Sequence, residues 1–129
     1  MTEHDDVLYL VHINQAATRI EQTVLQRGRT ALDADFELRD ATMYRLQTLA
    51  ESTQRLSSSF KASHPEIPWD DIAGFRNRIV HGYLTIDVDI IWDIVQRDVR
   101  PLAECARDAL ELRRGQDHRE RDSGPEFGF

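Results

Sequence analysis

Trp69-Asp70-Asp71-Ile72-Ala73-Gly74-Phe75-Arg76-Asn77-Arg78-Ile79-Val80-His81-Gly82-Tyr83 is the stretch on which the chain turns. Two prolines in His64–Trp69 forbid helix there and mark a turn. A short helix is predicted from about Trp69 to His81, with Gly82 as its stop. The last eight residues of the stretch, Arg76–Tyr83, gather a guanidinium, an amide, an imidazole and a phenol. Arginine keeps its charge at any working pH and forks onto phosphate oxygens, and histidine moves protons near neutrality. The set suits chemistry on phosphate esters.

Working outward, every flanking segment reads as helix. Asp5 or Asp6 can cap a first helix to about Arg27, carrying Leu10, Val11, Ala17, Ile20 and Val24, with Gly28 ending it. Asp33 or Asp35 can cap a longer second helix through about Phe60, weakened at Ser57-Ser58-Ser59. After the link Leu84-Thr85-Ile86, Asp87 can cap a helix bearing Val88, Ile91, Trp92, Val95 and Val99. Pro101 is expected to kink or split it, and a last helix reaches about Arg113. No strand-like alternation or internal repeat appears. The expected fold is an all-α, mainly antiparallel bundle of four to five helices over residues 1–113, with 114–129 a disordered polar tail.

Composition narrows the options. A chain of 129 residues, 40% hydrophobic and 30% charged, fits one ordinary domain. No apolar run approaches the roughly 18–20 residues that span a bilayer, and the acidic start Met1–Asp6 lacks the basic region of a signal peptide. A cytoplasmic address is expected. The net charge of -7 argues against a broad basic face for nucleic acid, so any RNA contact must be local. The lone Cys105 excludes an internal disulfide, and its alanine-rich surroundings suit a small core residue better than a reactive thiol.

For metal-free RNA cleavage, His81 suits the proton transfers, Arg76 the charge developing on phosphorus, and Asn77 a supporting hydrogen bond. Arg76 and His81 are five residues apart, roughly 140° around an ideal helix, and do not share a face. Unwinding at Gly82, a long reach by Arg76, or the same motif on a two-fold partner could unite them. On the residues alone the blander reading is the commoner one, an ordinary surface arginine and a surface or core histidine. Arg78 suits an ion pair with Asp70 or Asp71; Glu51 could face the same cleft, although a solvated helical carboxylate is the commoner reading. His4, His12, His64 and His118 are scattered, with His12 beside apolar neighbours, and no histidine pair has metal-ligand spacing. Asp87 and Asp89 read as a cap with first-turn charge, and Trp69 and Trp92 as core or interface anchors. No metal or cofactor is expected.

Arg76-x4-His81-x-Tyr83 resembles the signature of the HEPN superfamily, specifically the HepT-like toxins of toxin–antitoxin pairs. The resemblance extends to Ile67-Pro68-Trp69, Gly74-Phe75-Arg76-Asn77, Val88 to Val95, and Leu49-Ala50-Glu51 as the small-Glu segment. It covers about Asp5 to Leu112. Phe75 stands where a leucine-like residue is usual. The resemblance implies a homodimeric, metal-independent endoribonuclease with its cleft at the dimer interface. There Arg76 and His81 would carry catalysis and Asn77 would support them. It further implies an MntA-like nucleotidyltransferase antitoxin that silences the toxin by attaching AMP to Tyr83. The alternative is a non-catalytic subunit that docks a nucleotidyltransferase or binds nucleotide.

Overall fold

The computed structural model describes the backbone of residues 3–82 and 84–122, and side chains within 5–82 and 84–116. Tyr83 and residues 123–129 lie outside the described residues. Among the described residues every regular element is helical, as expected. Helix α1 spans Glu3–Ile20 and continues through a π-helical turn, Glu21–Leu25. Then follow α2 (Arg29–Ala34), α3 (Phe36–Gln54), α4 (Ser58–Ser63), α5 (Trp69–Gly82) and α6 (Val88–Ile94). A second π-helical turn, Val95–Val99, leads without a break into α7 (Arg100–Asp122).

Local chemistry accounts for most boundaries. Gly28 separates α1 from α2 with φ 89° and ψ 171°, a region that side-chain-bearing residues rarely enter. Asp35 caps α3 by accepting from the Glu37 and Leu38 amides at 3.1 and 3.2 Å. Asp87 caps α6 through the Asp89 amide at 2.8 Å. Each cap satisfies donors that have no partner inside the helix.

Four expectations need correction. Asp5 and Asp6 lie inside α1 and do not cap it. Asp6 is instead 1% exposed and accepts from the Ser57 amide at 2.7 Å and the Ser57 hydroxyl at 2.6 Å. Ser57 in turn caps α4 by accepting from the Phe60 amide at 3.1 Å. The long second helix therefore breaks at Arg55–Ser57, because a buried carboxylate from α1 holds that backbone. Pro101 does not split the last helix, which continues from the π-helical turn into α7. A proline ring crowds the carbonyl four residues earlier and supplies no amide. The wider π-helical turn sits directly before it and loosens the ladder there. Finally, α7 runs past Arg113 to Asp122, so residues 114–122 are helical where a disordered tail was expected.

Helix α1 runs antiparallel to both α3 and α7. Asp6 meets Ser57 and His12 meets Ser52 on one side. On the other, Arg107 reaches Asn14, Thr18 and Glu21 at 3.2–3.3 Å. Helix α5 packs along α3. The interior includes Leu10, Ile13, Leu46, Leu49, Ile91 and Leu102, each no more than 2% exposed. Full burial of such a side chain contributes about 1.5–3 kcal/mol relative to exposure.

Candidate functional site

Ile72, Phe75 and Ile79 are the buried residues of α5, and they set its rotation. At about 100° per residue, Arg76 falls at one edge of that buried stripe and Arg78 at the other, while His81 points away from it. Burial agrees: the Arg76 side chain is 32% exposed and His81 is exposed.

Arg76 faces α3. Its Nη2 lies 3.4 Å from Glu51 Oε1, and its Nη1 lies 3.4 Å from Asn77 Oδ1. Gln47, one turn before Glu51, donates to the same Glu51 oxygen at 3.4 Å. Glu51 is thus a partner of Arg76, not the solvated helical carboxylate expected of it. At these distances and exposures the pair adds at most about 1 kcal/mol; its effect is to aim the guanidinium. Arg76 Nε is buried and has no hydrogen-bond partner among the described residues. A buried donor without an acceptor is uncommon, and it marks Arg76 as a cation with bonding capacity to spare.

The structure brings Arg76, Asn77 and Glu51 together and leaves His81 apart. Helix α5 stays regular to Gly82, so unwinding does not swing His81 toward Arg76. Among the described residues the His81 side chain makes no hydrogen bond. Tyr83 lies outside the described residues.

Arg78 forms no ion pair with Asp70 or Asp71 among the described residues. It lines a cleft of about 650 Å³ between α5 and α6, together with Asp70, Asp71, Asp93 and Asp98. Asp98 sits in the second π-helical turn, 7% exposed, and its Oδ1 has no partner among the described residues. Burial, then the nearby Asp71 charge, raises the Asp98 carboxyl above the ordinary carboxylate range. No sequence signal separated Asp98 from the chain's other acidic residues.

The remaining candidates are structural. His12 Nδ1 meets Ser52 Oγ at 2.6 Å. The Trp69 indole donates to the Lys61 and His64 carbonyls at 3.2 and 3.0 Å, as befits an anchor. Asp89 pairs with Arg29. His64 stacks on Phe60 with ring centroids 4.4 Å apart, and its Nδ1 lies 3.0 Å from the Phe60 carbonyl oxygen. His64, Glu66 and Cys105 place donor atoms within 4.8 Å of one another, a grouping that sequence spacing did not reveal. Burial pushes the Cys105 thiol up to about 11, which keeps it neutral and disfavours the thiolate a metal needs. No helix is long and apolar enough to cross a membrane among the described residues.

Known proteins share this sequence pattern. A family model described as "Ribonuclease HepT-like" matches residues 13–109, which contain α5 and Glu51. A "Probable ribonuclease HepT" of Thermococcus cleftensis is 30% identical over 94 residues, covering 73% of this chain and 86% of the relative. A candidate RNase of Methanocaldococcus jannaschii is 32% identical over 99 residues, covering 77% of this chain and 91% of the relative. Another from Caldanaerobacter subterraneus subsp. tengcongensis is 26% identical over 103 residues, covering 80% and 92%. No solved structure matches. The helical fold, the matched span and these relatives agree, and the chain belongs to the ribonuclease HepT-like family.

Proposed function

We propose that the chain is an endoribonuclease, the toxin of a toxin–antitoxin pair, acting as a homodimer through Arg76, His81 and Asn77. The observation that carries this reading is Arg76, half-buried, aimed by Glu51 and beside Asn77, with a buried Nε that lacks an acceptor among the described residues. Membership of a family whose relatives are named as ribonucleases supports it.

In the proposed reaction a base removes the proton of a ribose 2′-hydroxyl, and that oxygen attacks the adjacent phosphorus. The 5′-oxygen leaves and takes a proton from an acid, giving a 2′,3′-cyclic phosphate and a 5′-hydroxyl. Imidazole suits both proton transfers near neutral pH. The guanidinium of Arg76 would stabilise the negative charge of the phosphorane-like transition state. Asn77, whose Oδ1 accepts from Arg76, would turn its amide hydrogens toward a phosphate oxygen.

Within one chain Arg76 and His81 point in directions roughly 140° apart. A two-fold partner would resolve this by setting the Arg76 of one protomer against the His81 of the other. Purified protein should cleave single-stranded RNA in the presence of EDTA, and His81→Ala should lower the rate by about 10²–10⁴-fold. Intact RNA after incubation with folded dimer would overturn the reading.

Tyr83 is the proposed site of AMP attachment by a nucleotidyltransferase antitoxin, which would add phosphate charge beside the cleft and repel RNA. Intact mass after co-expression with such a partner should show an AMP adduct that Tyr83→Phe removes. A stable complex with neither adduct nor cleavage would favour the non-catalytic docking subunit.

A further inference from the structure

The net charge of -7 leaves unexplained how an acidic chain would hold a polyanion. The groove between α1 and α3 supplies an answer. Two adjoining hollows of about 370 and 390 Å³ lie along it, sharing His12 and Thr48. One end carries Arg19, Tyr44 and Arg45. The other carries Arg55 and ends at Glu51, the residue that aims Arg76.

Two features together suit this groove to an anion. Among the described residues, Glu51 is the only carboxylate lining either hollow, although the chain holds 23 acidic residues. Moreover, Arg19, Arg45 and Arg55 make no ion pair among the described residues, a property they share with Arg39, Arg78 and Arg100, but here the open cations are gathered with Glu51 as the one lining carboxylate. The groove cations therefore keep their charge open to a ligand. Tyr44 stands 68% exposed between them, a largely uncovered aromatic face.

From these observations we infer that the α1–α3 groove binds the backbone of single-stranded RNA and leads it to Arg76. Arg19, Arg45 and Arg55 take phosphates, and Tyr44 stacks on a base. Positive grooves with interspersed aromatics hold single strands without reading sequence. From Ala41 to Arg55 the groove extends about 20 Å by the helical rise, room for several nucleotides. Charge chooses this occupant over a second copy of the chain, because two such grooves face to face would oppose three arginines with three more.

The inference rests on the ribonuclease reading, and its test separates the two. Binding is measured on full-length His81→Ala protein, by fluorescence anisotropy of a labelled single-stranded RNA across a salt series. Replacing Arg19, Arg45 and Arg55 together by Gln should weaken binding at least tenfold and flatten the salt dependence by about 0.7 for each phosphate no longer neutralised. Tyr44→Ala should weaken binding roughly fivefold or more at unchanged salt slope, as expected when one base loses its stacking partner. Unchanged affinity and slope in the triple variant would overturn the inference even if wild-type protein cleaves RNA. So would dissociation of a wild-type dimer by the same substitutions, which would make the groove an interface between copies. Groove-dependent binding without any wild-type cleavage would uphold the groove and sink the nuclease reading.

Discussion

The two flanks of α5 carry opposite electrostatics. On the Arg76 side, the α1–α3 groove holds Arg19, Arg45, Arg55 and His12, with Glu51 as its one lining carboxylate among the described residues. On the Arg78 side, the α5–α6 cleft gathers Asp70, Asp71, Asp89, Asp93 and Asp98 against Arg78 and Arg97. Two arginines two residues apart on one helix thus meet different surroundings. A net charge averages over this segregation and conceals it. A phosphodiester chain would be repelled from one flank and accepted on the other, so the field selects a face as well as an affinity.

The sharpest way to break this comparison is to remove each arginine in turn. Arg76→Ala should lower RNA cleavage by about 10²–10³-fold, the scale of losing a group that stabilises developing charge. Arg78→Ala should stay within a few-fold of wild type. Equal losses would show that position along the helix, and not the flank it faces, decides activity. Next in size is the contrast in binding. The groove triple variant should lose tenfold or more, whereas Asp70→Asn with Asp93→Asn should leave affinity the same or slightly higher, on the same anisotropy titration.

The smallest effect concerns stability and belongs to the acidic flank alone. Because burial raises the folded-state value of Asp98 above the ordinary 3.8, the folded chain holds that proton more tightly than the unfolded chain does. Its contribution to stability is complete below the ordinary value and is lost as pH rises through the folded one. Asp98→Asn should therefore stabilise the protein at pH 7 by on the order of 1 kcal/mol. The gain should shrink toward pH 4, as read by urea midpoints across pH. A gain that did not vary with pH would place the effect in packing and not in ionisation.

Much of the fold is legible from short range. Gly28, Asp35, Asp87 and the proline turn before Trp69 act within a few residues, and each marks a boundary that the structure keeps. The failures arise where the deciding influence lies beyond the local signal. The break before α4 depends on Asp6, 51 residues from Ser57. The role of Glu51 depends on Arg76, 25 residues on. Pro101 was expected to interrupt a helix, and a π-helical turn absorbs it where α6 runs into α7.

The sequence by itself determined that the chain is helical, where several of its helices begin, and which octapeptide gathers the candidate side chains. Those properties follow from backbone dihedrals, capping atoms and residue types, all of which act locally. Only the tertiary structure decided that Arg76 turns toward Glu51 while His81 turns away. It alone assembled an acid-poor groove from α1 and α3, and set a cluster of aspartates on the opposite flank. Helix rotation depends on which apolar stripe is buried against which neighbour, and packing of the whole bundle settles that.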